Sequence, residues 1–396
     1  MRHHLLLRNI RPLGGDAVDM LCEGTRIAVI GANLAAPEGC AVEEGHGALL
    51  LPGLIEGHCH LDKALWGMPW WVNENPPHRE ARIANEKKLR RPLGKEPYRD
   101  ARALAEAELA NGTTRLRTHV DIDEECRLSH VEALLRLRAD MADRLEIQLV
   151  AFPQSGIVRT PGAEGWLDEA MRMGCDVVGG IDPSVIDRDP VRHLDAVFRL
   201  AERHGKPVDI HLHEPHELGA FSLELMAERT RALGLQGRVT VSHGFCLGDV
   251  PAARGDQLLA MLAESGIAIC TSAPAGSNVP PLERAAALGV TVFAGNDNIR
   301  DTWMPFGHPD MLERAMFVAM KNNLRSDRGL ELAFGTVGAQ AAKGAGFSDY
   351  GLAPGARADL VLVEAETLGH AVVERPVRRL VVAQGRVVAR DGRLTA

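Results

Sequence analysis

The stretch Leu51-Pro52-Gly53-Leu54-Ile55-Glu56-Gly57-His58-Cys59-His60-Leu61-Asp62-Lys63 decides how the rest of the chain is read. Apolar residues run into glycine, and two histidines follow with one residue between them. If 54–60 is a strand, alternation places His58 and His60 on one face, where two imidazoles can grip one metal ion. Taken alone, a His-x-His pair is more readily chance or a hydrogen-bonded core feature. The choice therefore rests on further ligands downstream.

Downstream, apolar strand-like runs alternate with helical patterns. Strand 115–121 precedes an amphipathic 131–143, 146–152 precedes 165–173, 177–181 precedes 191–204, 208–213 precedes 218–233, and 239–243 precedes a helix near 257–264. Runs 267–270 and 291–295 complete the series, which with the opening strand makes eight. Repeated strand-then-helix units call for a parallel sheet with crossover helices, and eight such units predict an α/β fold of the closed (β/α)8 TIM-like barrel type. In such a barrel the chemistry sits at the C-terminal ends of the strands. Segment 66–98 breaks the rhythm with Trp66, Trp70, Trp71, Pro76-Pro77 and the basic run 87–91. It follows the first strand, and two readings stand: a loop over the site, or a surface excursion packed on the barrel wall.

Both ends of the chain read differently. Short apolar runs at 5–7, 26–30 and 48–51, and again at 358–363, 377–382 and 385–392, are broken by turn residues and lack a helical period. Neither end can close a core alone, so the two are expected to pack into one small β-sandwich. The expected division is 1–51 and 350–396 for that sandwich and 52–349 for the barrel.

Composition bounds the partners. The 396 residues are 45% hydrophobic and 25% charged, as in a soluble globular protein with a sizeable core. A net charge of -8 without a dense Lys/Arg run argues against nucleic acid or an anionic membrane and leaves small molecules. Seven cysteines without Cys-x-x-Cys spacing read as reduced thiols. The apolar run at 5–7 is too short for a signal peptide, and no stretch is long enough to span a bilayer, so a cytoplasmic protein is expected.

Three further strand ends carry ligand-type residues. His211 ends the fifth strand, His243 the sixth, and Asp297 follows the eighth, all on the same barrel face. Singly, such residues bond a carbonyl or cap a helix. Together with the first pair, His58, His60, His211 and Asp297 make a three-imidazole, one-carboxylate set suited to zinc or ferrous iron, with room for water.

The pattern resembles the amidohydrolase superfamily, and more closely its cytosine deaminase-like branch, over essentially the whole chain. The matching stretches include Leu51-Pro52-Gly53, His58-Cys59-His60-Leu61-Asp62, Arg117-Thr118-His119-Val120-Asp121, Ala151-Phe152-Pro153-Gln154, His211 to Glu214, Ser242-His243 and Trp303-Met304-Pro305-Phe306-Gly307. The resemblance implies that His58, His60, His211 and Asp297 hold one divalent ion, Zn or Fe. Members with two ions bridge them at the end of the fourth strand, where this chain has Gly179-Gly180-Ile181. The implied activity is that of a deaminase acting on a pyrimidine- or triazine-type ring, with metal-bound hydroxide attacking an sp² C–N carbon. In that reading Asp297 takes the proton, Glu214 shuttles it to the ring nitrogen and leaving amine, and His243 bonds the attacking oxygen. Gln154 matches the amide that reads a substrate carbonyl and ring N–H.

Two positions depart from the cytosine deaminase pattern. Asn298 replaces a carboxylate that reads the pyrimidine, and Lys63 replaces threonine, as in the branch containing the N-isopropylammelide amidohydrolases. Both are read as substrate contacts that change the hydrogen-bond code, with Lys63 favouring an anionic or carbonyl-rich substrate. A surface lysine is the plainer reading of Lys63, as a solvated carboxylate or helix cap is of Glu214. His213 is read on the opposite strand face and given no role; His119 ends the second strand, with Asp121 as a candidate partner. Ring opening of a cyclic amide or ureide uses the same chemistry and stays open beside deamination. A non-catalytic binding protein on this fold would be expected to have lost one or more of His58, His60, His211, Glu214, His243 and Asp297. Members of the family form homo-oligomers, but no interface is legible in the sequence.

Overall fold

The computed structural model describes residues 3–74 and 76–395. Eight parallel strands follow one another in chain order: Leu54–Cys59, Thr113–Asp121, Glu146–Phe152, Val177–Ile181, Val208–Leu212, Val239–His243, Ile267–Thr271 and Val292–Ala294. Their residues are buried almost throughout, because side chains on one face fill the barrel and those on the other meet the helices. The barrel closes where the eighth strand returns to the first. Cys59 and Asp297 form a parallel bridge, and the Asp297 N–H donates to the His58 carbonyl at 2.7 Å.

Closure demands glycine at two points. A Cβ on Gly57 would lie 2.6 Å from the Ala294 carbonyl oxygen and from the Phe293 ring. One on Gly295 would lie 2.3 Å from the His58 nitrogen, so no larger residue lets the strands approach this closely.

Strands from both termini form a separate nine-stranded mixed sheet. Its join is Leu49–Pro52, which pairs in parallel with His4–Pro12 and antiparallel with Leu360–Val363. The apolar runs there have two buried faces. Leu50, Leu360, Leu362, Leu380 and Val382 pack into the sheet's own cluster with Leu5, Met20 and Ile27, whereas Leu49, Leu51, Val361, Val363 and Val381 join the barrel's core. Strands Val18–Glu23 and Ala41–Glu44 add to those expected; the second is a short polar strand paired along His4–Pro12.

The segment after the first strand is built rather than loose. It contains the helix Arg79–Arg90 and is followed by the crossover helix Pro97–Ala110, whose first turn carries proline and is capped by Glu96. Three helices, Met311–Lys321, Asp327–Gly335 and Ala339–Ala345, follow the eighth strand. Among the described residues no helix is long and apolar enough to cross a membrane. All seven cysteines are unpaired thiols.

Candidate metal and substrate site

His58, His60, His211 and Asp297 converge at the C-terminal mouth of the barrel, their ligand atoms all within 4.8 Å of one another. Asp297 Oδ1 lies 3.5 Å from His58 Nε2 and 3.3 Å from His60 Nε2, and the Nε2 atoms of His60 and His211 face each other at 3.4 Å. Burial, with Lys63 nearby, lowers His60 to about 4, and burial holds His211 well below its ordinary value, so both rings are neutral at pH 7. Asp297 stays ionised: burial opposes its charge, but His243, His58 and His60 hold it well below the usual carboxylate range. Two neutral imidazoles turning ring nitrogens towards each other beside a carboxylate, with the buried His58 Nε2 lacking a hydrogen-bond partner, make a donor set suited to a cation. The residues fit one divalent ion.

Two buried relays hold this set. His58 Nδ1 lies 2.9 Å from Ser242 Oγ, which donates to Asp209 Oδ1 at 2.6 Å, while Arg117 donates to Asp209 Oδ2 at 2.9 Å. With the hydroxyl hydrogen spent on Asp209, His58 must donate from Nδ1, which leaves Nε2 as a bare acceptor aimed into the mouth. On the other side, Glu56 accepts from the backbone N–H groups of His58 and Asn296, both at 2.9 Å, and from the Asn296 side chain at 2.6 Å. Arg314 completes the clamp by donating to Asn296 Oδ1. His119 and Asp209 approach His58 from below as a second histidine–carboxylate group, but Arg117 and Ser242 already occupy Asp209.

His243 and Asp297 both adopt left-handed backbone, φ 76° and φ 62°. Such conformations cost roughly 1–3 kcal/mol each for non-glycine residues and gather at working sites. His243 Nε2 is buried without a partner. Its ring stacks on His213 at 4.1 Å between centroids, and His213 is 5.7 Å from His211. His213, one residue past the end of the strand at Leu212, therefore faces the cluster and not the opposite side. Asp182, just past the fourth strand, accepts from the His213 backbone N–H at 2.6 Å, contacts its Nδ1 at 2.9 Å and pairs with Arg79 at 3.0 Å. Asp182 is thus spent on His213 and Arg79 and stands outside the ligand group. Glu214 is fully buried; its Oε1 accepts from the backbone N–H groups of Ser184 (2.6 Å) and Val185 (2.9 Å), and Ser222 donates to its Oε2 at 2.5 Å. Burial raises its pKa.

The substrate-contact candidates Lys63 and Gln154 meet each other. Lys63 donates to Gln154 Oε1 and pairs with Asp121 at 2.9 Å and Glu86 at 3.6 Å. Burial works against its charge, but Asp121, Glu86 and Asp62 outweigh it and hold the ammonium above its ordinary value. The cation is balanced in place by these carboxylates. Phe152, stacked on His211 at 4.2 Å, lies 5.4 Å below Lys63 Nζ and links this wall to the ligand set. Asn298 donates from Nδ2 to Asp301, leaving its carbonyl oxygen to be addressed. Asp301 also accepts from the backbone N–H groups of Trp303 and Met304, so it sets the position of both Asn298 and Trp303. His119 does not pair with Asp121, which Lys63 and Arg90 engage instead. Glu86, Trp303, Asp182 and Ser242 went unassigned in the sequence; the position of Ser242 directly before a strand-end histidine was a signal for the last.

An amidohydrolase family model matches residues 44–393. The crystal structure of N-isopropylammelide isopropylaminohydrolase from Burkholderia multivorans ATCC 17616 is 52% identical in sequence, with a TM-score of 0.97 over 99% of this chain and 100% of that one. N-isopropylammelide isopropyl amidohydrolase of Pseudomonas sp. (strain ADP) is 31% identical across 98% of this chain and 97% of its own. The 5-methylcytosine deaminase from Klebsiella pneumoniae, crystallised with 5-fluorocytosine, is 26% identical with a TM-score of 0.83 over 97% of each chain.

Proposed function

The chain belongs to the amidohydrolase family, hydrolases acting on C–N bonds other than peptide bonds, and from that premise we propose that it removes an alkylamine or ammonia from an oxo-substituted triazine, or from a pyrimidine of like shape. The observation that carries this reading is the juxtaposition of the three-histidine, one-aspartate set with the Lys63–Gln154 pair, which can address a ring edge bearing a carbonyl. The triazine choice is supported by the relatives at 52% and 31% identity and by Lys63.

His58, His60, His211 and Asp297 would hold one divalent ion, zinc or ferrous iron, and the ion's contribution when bound is a water acidified towards neutrality. The rest falls to the chain's own groups. Asp297, ionised at neutral pH, takes the proton of the nucleophile. His243, with Nε2 unpartnered, bonds the attacking oxygen, and the electron pair displaced from the attacked carbon goes to the ring nitrogen. Phe152 and Trp303, whose rings lie 5.4 and 5.6 Å from Lys63 Nζ, give the substrate ring an apolar wall on that side.

The proton must then reach the ring nitrogen and the departing amine. Glu214 is one carrier, since burial raises its pKa towards the working range. A second reading, with His213 as carrier and Asp182 orienting it, is favoured by one observation: both Glu214 oxygens are already engaged, whereas the His213 ring stacks on His243 in the mouth. Ring opening of a cyclic ureide stays the alternative outcome of the same attack.

The test is steady-state turnover of N-alkyl and amino oxo-triazines by metal-replete variants whose melting is unchanged. Asp297→Asn should abolish turnover. Of Glu214→Gln and His213→Gln, the one that removes the carrier should lower kcat by about 10²–10⁴-fold. Retained activity in Asp297→Asn would sink the proposal.

A further inference from the structure

The helix Arg79–Arg90 presents Arg79, Ile83, Glu86 and Arg90 at spacings of four, three and four, which is a single face. All four reach into the barrel mouth. Arg79 pairs with Asp182, Ile83 packs with Phe152, Ile181 and Ile186, and Arg90 pairs with Asp121 and Asp123. Glu86 sits at the centre of this face and is 5% exposed. Its Oε2 accepts from Trp303 Nε1 at 2.5 Å and from Gln154 Nε2 at 3.2 Å, and its Oε1 accepts from Arg90 at 3.2 Å.

These contacts fix which way the Gln154 amide points. Its NH₂ group faces two carboxylates, Glu86 Oε2 and Asp121 Oδ2, each at 3.2 Å, and its Oε1 faces the Lys63 ammonium. A flipped amide would set oxygen against carboxylates and N–H against ammonium. Both Gln154 donors are therefore spent, while one Oε1 lone pair is left for a ligand. Lys63 has three N–H groups; Asp121 and Gln154 take two, and Glu86 at 3.6 Å is beyond a hydrogen bond. One donor and one acceptor, side by side, remain.

We infer that Glu86 is a positioning residue which locks the Gln154 amide so that Lys63 donates to a ring carbonyl while Gln154 Oε1 accepts from the adjacent ring N–H, making the site specific for an N–H–C=O edge. The inference rests on the substrate reading above for the identity of the ring, but not on the hydrolytic step. Glu86 touches neither the ligand set nor the carbon to be attacked. It acts through Gln154, Lys63 and Trp303, and it places part of the specificity on a helix outside the barrel.

The test is calorimetric titration of the metal-loaded protein with cyanuric acid, a triazine whose every edge is N–H–C=O, and with trimethyl isocyanurate, the same ring without N–H. Wild type should bind the first and discriminate against the second by about tenfold or more, the scale of one well-made hydrogen bond. Glu86→Gln should lose most of that ratio, because an amide at position 86 can present N–H to Gln154 and release the lock. A merely structural role would weaken both ligands alike. If Glu86→Gln does not fold, Glu86→Asp keeps the charge that balances Lys63 and Arg90 but withdraws it by a methylene, and the same loss of ratio is expected. An unchanged ratio in the variant, or no discrimination by wild type, overturns the inference. Discrimination lost in the variant, with no amine released by wild type from any ring, would leave the positioning role standing and remove the proposed reaction.

Discussion

Replacing Ser242 with alanine tests whether the ligand set is organised from behind. Ser242 is fully buried, so no water substitutes for its hydroxyl. The change strips an acceptor from His58 Nδ1 and a donor from Asp209 Oδ1. Each buried group left unsatisfied costs about 1–3 kcal/mol, so the metal-free protein should lose about 2 kcal/mol even if Arg117 compensates part of the charge on Asp209. The larger effect is on the metal. Without an acceptor at Nδ1 the His58 ring is no longer held in one tautomer and one orientation, and loss of such a supporting contact weakens metal binding about 10–100-fold. Competition against a chromogenic chelator measures that loss, and urea unfolding of the metal-free protein measures the stability change separately. If Ser242→Ala binds metal within about twofold of wild type, the relay does not set the His58 ring, and the tautomer argument is wrong.

Two further changes test closure and electrostatics. Gly295→Ala puts a methyl 2.3 Å from the His58 backbone nitrogen and 2.6 Å from Glu56 Oε1, with strand backbone that cannot yield; a loss of about 1–3 kcal/mol or more in urea unfolding, with metal content below one ion per chain, is expected. Asp301 is raised by burial to about 6. A carboxyl raised in the folded state contributes stability that is complete below the unfolded pKa near 4 and is lost as pH rises through about 6, here at most about 3 kcal/mol. Asp301→Asn lacks that dependence, so the stability difference between variant and wild type should move in the variant's favour between pH 4 and pH 7. A flat difference would show that Asp301 titrates normally.

The barrel and the convergence of its ligand-type residues were legible because each of them ends an apolar run, and a parallel barrel gathers strand ends at one mouth. The apolar runs at 48–51 and 358–363 read as strands for a related reason: their alternate residues serve two different cores. Glu86 was hidden because its helix turns a mostly charged face inward, so that hydrophobic periodicity carries no signal of burial. Trp303 and Asp182 lie in loops whose positions depend on partners distant in sequence, Glu86 and His213. Lys63 was legible as a candidate but not as a buried, balanced charge, since Asp121 and Glu86 come from other elements.

Mass spectrometry of products formed in ¹⁸O-water shows directly which bond breaks. Metal-replete protein is incubated with N-alkyl and amino oxo-triazines, aminopyrimidines and cyclic ureides. Loss of an amine and gain of a single labelled oxygen on a ring that stays closed are expected, with an oxo-triazine as the preferred substrate. Gain of a whole water by an opened ring, or no product from any of these rings, would contradict the proposed function.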